Sequence, residues 1–297
     1  MTENLIYLDN NATTPLDPIV LEAMMPYMTY NFANASSTHH FGMTANEAVK
    51  KARKQAADLI GAEPNNIVFT SGATEAINLA IKGVAETYLN KGNHIVTVST
   101  EHSAVLDNCK YLETKGFEVS YLPVQSNGLV DLEVVKKAIR EDTILVSAMH
   151  VNNETGVVQP IKKIADLAHE KGAIFMSDGT QSVGKISVNV EDMGIDLLSL
   201  SAHKMYGPKG IGALYIGQRQ KRIKISTQNH GGRHEYGLRS GTLNVPGIIG
   251  LGMACKLAEK EMYRKRNKNQ KNEGCFRSKT LIVQPGKIKL QCRYPDL

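Results

Sequence analysis

The stretch Ser199-Leu200-Ser201-Ala202-His203-Lys204 places hydroxyls, an imidazole and an amine at the end of an apolar run that begins at Ile195. A loop rich in Gly and Pro follows, Met205-Tyr206-Gly207-Pro208-Lys209-Gly210. Ionisable groups at the mouth of a buried strand are costly unless they are used. Desolvation lowers the pKa of a lysine, and a neutral amine can form a Schiff base. Lys204 is therefore a candidate for a covalent cofactor lysine. The competing reading is a solvated lysine beside a glycine turn, and the other strand ends must separate the two.

Four other strand ends carry chemistry. Ile67-Val68-Phe69 runs into Thr70-Ser71-Gly72-Ala73-Thr74-Glu75, where small residues and free N–H groups open a helix and suit a phosphate. An ordinary helix cap built on Thr74 and Glu75 is the alternative. Beyond His94 to Val98 comes Thr100-Glu101-His102, whose imidazole could lie flat on an aromatic cofactor ring or serve a structural role. Beyond Ile144 to Met149 comes His150-Val151-Asn152-Asn153-Glu154-Thr155-Gly156, two amides that could bind a phenolic oxygen or a carboxylate, or build a turn. Beyond Ala173 to Met176 comes Ser177-Asp178-Gly179-Thr180-Gln181, where a buried Asp178 could pair with a pyridine nitrogen or cap a helix.

In open α/β sheets, sites lie beyond the carboxyl ends of the strands, so these segments converge. Phosphate cradle, ring contact, amide, carboxylate and lysine together match the needs of pyridoxal phosphate (PLP). No GxGxxG follows a strand, no P-loop is present, and the nine histidines form no HExxH or compact ligand set. A metal site is accordingly not expected. The loop His230 to Thr242, with four cations or imidazoles among glycines, is a further candidate for phosphate or carboxylate binding, or a flexible surface loop.

The elements that must position these groups alternate. Strand-like runs at 67–69, 94–98, 117–122, 144–149, 173–176, 196–200 and 212–216 interleave with helical patterns at 76–88, 105–114, 132–138 and 161–169. This rhythm predicts an α/β fold with a mostly parallel seven-stranded sheet sandwiched by helices. Asp17-Pro18 opens an earlier helix, Met43 to Ile60 reads as an amphipathic helix stopped by Gly61, and Val245 to Met262 as a long one.

At 297 residues, 42% hydrophobic and 22% charged, the chain has the composition of a soluble globular protein. No apolar run reaches membrane-spanning length and no signal peptide is evident, so cytoplasm is the expected location and no membrane contact is expected. The net charge of +6 does not call for nucleic acid, because ten Lys/Arg against two Asp/Glu fall between Tyr263 and Leu297, leaving the body slightly acidic. Cys109, Cys255, Cys275 and Cys292 show no CxxC spacing.

Seven stretches together resemble the cysteine desulfurases of the class V aminotransferase group, PLP-dependent enzymes of fold type I. They are Tyr7 to Thr14, Phe69 to Glu75, Thr100 to His102, His150 to Gly156, Asp178 to Lys185, Ser201 to Gly210 and Gly237 to Thr242. The resemblance implies that Lys204 carries PLP and shuttles protons. Ala73, Thr74, Ser201 and His203 would hold its phosphate end, and His102, the second catalytic candidate, would stack on the ring. Asp178 would pair with the pyridine nitrogen, Gln181 would contact the phenolic oxygen, and Asn153 would lie at the cofactor–substrate site. Thr242 would reach the phosphate of a neighbouring subunit, which implies a homodimer. The substrate would be L-cysteine and the products alanine and a persulfide, with sulfur passed to an iron–sulfur scaffold or another sulfur-acceptor protein.

The family's nucleophilic cysteine lies well over a hundred residues beyond the lysine, and only 93 residues follow Lys204 here. The expectation is thus an N-terminal segment (1–15), a PLP-binding large domain (16–262) and a basic atypical tail (263–297). The small C-terminal domain would be largely missing and persulfide formation impaired. The alternatives are another PLP-dependent lyase or aminotransferase, or a non-catalytic dimerising fragment.

Overall fold

A computed structural model describes residues 7–218, 223–271, 280–284 and 287–291, with side-chain surroundings as far as residue 264. Seven strands form one sheet: β1 (Ile67–Thr70), β2 (His94–Val98), β3 (Glu118–Leu122), β4 (Thr143–Ser147), β5 (Ile174–Asp178), β6 (Leu197–Ser201) and β7 (Gly212–Ile216). Their spatial order is β1-β7-β6-β5-β4-β2-β3. All neighbours are parallel except β7, which runs antiparallel to both β1 and β6. The carboxyl ends of β1, β2, β4, β5 and β6 therefore share one edge of the sheet, as the alternation of elements predicts.

The helices are α1 (Pro18–Thr29), α2 (His40–Ile60), α3 (Ala73–Tyr88), α4 (Ser103–Glu113), α5 (Leu132–Ala138), α6 (Ile161–Glu170) and α7 (Val245–Lys271). One core packs α1, α2, α5, α6 and α7 against residues such as Val96, Phe175, Leu198 and Leu200. The other packs α3 and α4 against Ile95, Met176, Leu197 and Leu214 on the opposite face. Strands covered on both sides are apolar without alternation, which is why 94–98 and 143–147 read as unbroken buried runs.

Local chemistry sets the helix ends. Asp17 accepts a hydrogen bond from the Ile19 amide and Pro18 opens α1. Gly61 ends α2 in the left-handed conformation at φ 65°. Two helices begin three residues before their periodicity suggests. The His39 ring caps α2 by accepting from the Gly42 amide, and α3 starts at Ala73 directly after Gly72. The last helix continues to Lys271, so residue 262 is not a break in secondary structure. The run at 280 pairs as β8 (Thr280–Gln284) with β9 (Lys287–Gln291) in an antiparallel hairpin. Cys275 and Cys292 lie outside the described residues.

Candidate active site

The shared sheet edge opens into a cavity of about 800 Å³. Ala73 and Thr74 line it from the start of α3, His102 from the start of α4, and Asn153 from the turn beyond β4. Asp178 and Gln181 enter from the end of β5, and Ser201, His203 and Lys204 from the end of β6. Nine of the ten residues singled out in the sequence thus surround one space. The tenth, Thr242, is exposed and lies outside it.

Lys204 sits on a single 3-10 turn, Ala202–Lys204, that continues β6. Its Nζ donates to the backbone carbonyls of Asn11 at 2.5 Å and Ala12 at 2.7 Å. Burial lowers its pKa, against the attraction of Asp178, Asp9 and Glu154. Thr14 ties the same segment down: its amide and hydroxyl both donate to the His203 carbonyl, and its hydroxyl accepts from the Tyr206 amide. Tyr206 takes φ 61°, a left-handed conformation that this anchoring sustains. His203 Nδ1 lies 3.1 Å from Thr13 Oγ1, and burial followed by the charges of Lys204 and Lys209 lowers its pKa.

Asp178 is buried. Its Oδ1 accepts from the Thr180 amide at 2.9 Å, the Thr180 hydroxyl at 2.5 Å and the Ser199 hydroxyl at 2.9 Å. Its Oδ2 has no hydrogen-bond partner among the described residues. One carboxylate oxygen is thereby locked and the other left free. At α3, Gly72 supplies no side-chain cap, and the amides of Ala73, Thr74 and Glu75 have no acceptor among the described residues. They form an anion site of three N–H groups at a helix start. Gly212 keeps this corner open to close backbone approach: a Cβ there would come within 2.5 Å of the Leu200 carbonyl and 2.7 Å of Gly72.

His102 caps α4, its Nδ1 accepting from the Ala104 amide at 3.1 Å, while the same ring lines the cavity. The two amides beyond β4 divide their roles. Asn152 is spent on the turn, its Oδ1 accepting from the Glu154 and Thr155 amides, whereas Asn153 faces the cavity. In the 230–242 loop, charges serve as anchors. Arg239 pairs with Glu75 at 2.7 Å and Glu235 with Arg53 at 2.6 Å.

Asn11, Ala12 and Thr13 are site residues that motif reasoning left without a role. Two of them act through backbone carbonyls, which carry no side-chain signature. The available signal was the polar run Asp9 to Thr14. Asp9, Asn11, Ala12 and Thr13 all line the cavity.

The family model described as Aminotransferase class-V matches residues 6–279. The chain belongs to the class V aminotransferase family. A cysteine desulfurase IscS from Photorhabdus laumondii subsp. laumondii is 57% identical over 260 residues, covering 86% of this chain and 64% of that protein. The chain thus spans less than two thirds of the length of the curated relatives it matches. A solved NifS-like protein superposes with a TM-score of 0.85 at 43% identity, covering 90% of this chain and 73% of that one. A solved structure of SspA in complex with cysteine gives 0.82 at 44% identity, covering 93% and 79%. The α/β architecture of this class V aminotransferase is that of the NifS-like structures. No helix among its described residues is long and apolar enough to cross a membrane.

Proposed function

We propose that this chain holds PLP on Lys204 and acts on L-cysteine as a cysteine desulfurase. The observation that carries the reading is the Lys204 amine, desolvated and held on two backbone carbonyls inside the cavity. The rest of the cavity fits the cofactor. The free amides of Ala73 and Thr74, with Ser201 and His203 nearby, suit its phosphate. The unpartnered Asp178 Oδ2 suits a protonated ring nitrogen.

Bound PLP supplies an electron sink for negative charge developing at the substrate α-carbon. Asp178 keeps that sink effective by accepting a hydrogen bond from the ring nitrogen. His102, its Nδ1 already occupied, offers its ring face. Gln181 donates to the ring oxygen and Asn153 faces the substrate. Lys204 moves protons at the substrate carbons, a task its lowered pKa suits because the neutral amine is the base. Sulfur leaves cysteine for a thiol, giving alanine and a persulfide. Cys109 and Cys255 are both buried, with thiol pKa values pushed up to about 12 by burial. Neither of these two described cysteines can be that thiol.

The exposed position of Thr242 supports a homodimer in which this residue serves the neighbouring site. A sulfur-acceptor protein such as an iron–sulfur scaffold and a cytoplasmic location complete the proposal. The test is PLP loading followed by borohydride reduction and peptide mass spectrometry. A PLP adduct on Lys204, lost in Lys204→Ala, is the expected result, and no adduct in the wild type with PLP in excess would sink the proposal. A PLP-dependent lyase or aminotransferase that needs no thiol is the second reading, favoured by the burial of both described cysteines. Pyruvate instead of alanine among the products would select it.

A further inference from the structure

Gln181 and Lys185 lie on consecutive turns beyond β5, closed by hydrogen bonds from the Ser182 and Val183 amides to the Gly179 carbonyl. The Lys185 ammonium donates to Gln181 Oε1 at 2.5 Å. Gln181 Nε2 donates to the Asn11 carbonyl at 2.9 Å. That same carbonyl accepts from Lys204 Nζ. A continuous path therefore runs from Lys185 through Gln181 and Asn11 to the candidate cofactor lysine.

The chemistry of the end groups fixes the direction of the path. An ammonium can only donate and a backbone carbonyl can only accept. The Gln181 amide must turn its oxygen to Lys185 and its nitrogen to Asn11. One Nε2 hydrogen serves Asn11, and the second remains for whatever occupies the cavity that Gln181 lines. Hydrogen bonds with a charged donor are roughly twice as strong as neutral ones, so Lys185 is the firmer of the two constraints.

Lys185 also lacks the partner that a purely structural lysine would have. Among the described residues no carboxylate pairs with it. The residue as a whole is exposed, but its contact with Gln181 is partly buried, and burial followed by the charge of Lys204 lowers its pKa to about 8. A desolvated cation with a neutral amide as its acceptor costs stability and points to use.

We infer that Lys185 is a positioning residue: it holds the Gln181 amide with its N–H side toward the cavity, so that the ring oxygen of a cofactor on Lys204 meets a donor. This rests on the PLP reading above. The experiment compares wild type, Lys185→Met, Lys185→Arg, Gln181→Ala and the Lys185→Met/Gln181→Ala double variant, each as the full chain titrated with PLP. The readouts are the PLP dissociation constant, the absorption maximum of bound PLP and the melting temperature of the apo chain.

Lys185→Met should weaken PLP binding about tenfold and shift the absorption maximum, a change in binding of ~1.4 kcal/mol. Lys185→Arg, which keeps a cationic donor, should stay near wild type. In the Gln181→Ala background, Lys185→Met should add almost nothing, because the two residues act as one unit. A Lys185→Met effect undiminished in that background overturns the inference, as does a lowered melting temperature with unchanged affinity and spectrum. Wild type that binds PLP while Lys185→Met behaves identically removes this inference alone. Wild type that takes up no PLP removes the parent reading with it.

Discussion

Glu101 Oε1 accepts a 2.5 Å hydrogen bond from the Met149 amide, and the next residue along, His150, is buried with an unpaired Nδ1. These two groups sit just behind the cavity and respond to pH in opposite senses. Burial raises the Glu101 pKa to about 8, so the folded protein holds a proton that the unfolded chain gives up near 4.5. The stability it contributes is present below 4.5 and is lost as pH rises toward 8. Burial lowers the His150 pKa to about 4, so its contribution is present above 6.5 and is lost as pH falls toward 4. The two windows overlap from 4.5 to 6.5, where the opposing slopes cancel, so melting temperature against pH should be level there and fall below about 4.5 and above about 6.5. Glu101→Gln should abolish the decline above 6.5 and leave a curve that rises up to about 6.5 through His150, and a curve unchanged by that substitution would refute the assignment. The same residues mark where the sequence stops being readable. Lys204, Asp178 and His102 announce themselves because a chemistry-bearing side chain closes an apolar run. The Asn11 and Ala12 carbonyls do not, since any residue type could present them.

The helices and loops around the site show how anchoring replaces regular structure. Arg53 on α2 forms a bidentate pair with Glu235, and its guanidinium lies 4.5 Å from the Phe69 ring centroid and 5.4 Å from that of Tyr236. Glu235 also accepts from the Phe69 amide at 2.7 Å. This cluster fastens the 230–242 loop to α2 and β1, across backbone at Glu235 and Tyr236 with φ 50° and 60°. Removing one member leaves a buried charge alone, so Glu235→Gln should destabilise the fold by about 3–5 kcal/mol, read by denaturant unfolding. A loss of a few tenths would mean that the loop is not held this way. The sequence marks this loop by its length and glycines, but which cation meets which carboxylate is a matter of tertiary distance. The start of α2 is hidden in the sequence for a related reason: His39 caps it through its ring, a residue type that does not advertise a cap. Where α7 crosses α2, Gly252 lets the helices close, since a Cβ there would lie 2.6 Å from the Ala52 Cα. Gly252→Ala should push them apart and lower the melting temperature.

At the scale of the molecule, the layers and the mostly parallel sheet follow from the alternation of elements, whereas the strand order and the antiparallel β7 have no sequence signature of their own. Tyr30 and Phe32 are 82% and 78% exposed, and Phe41 and Met43 are exposed as well. Such exposure suits a surface covered in an assembly. If Thr242 serves a neighbouring site, mixing Lys204→Ala chains with Thr242→Glu chains should restore PLP adduct formation that neither variant gives alone. Mixed dimers would combine one chain's Lys204 with the other's Thr242, and mixtures no better than their parents would place Thr242 outside the site.

The clasp of Asn11, Ala12 and Thr14 on His203, Lys204 and Tyr206 has a consequence for the order of events in synthesis. Its two sides are about 190 residues apart in the chain. A nascent chain carries the first side long before the second exists, and contacts of such separation form late. Until they do, the amine lacks its carbonyl cradle. On the PLP reading proposed above, cofactor capture becomes the closing act of folding, and a loaded lysine certifies that the whole sheet edge has been assembled.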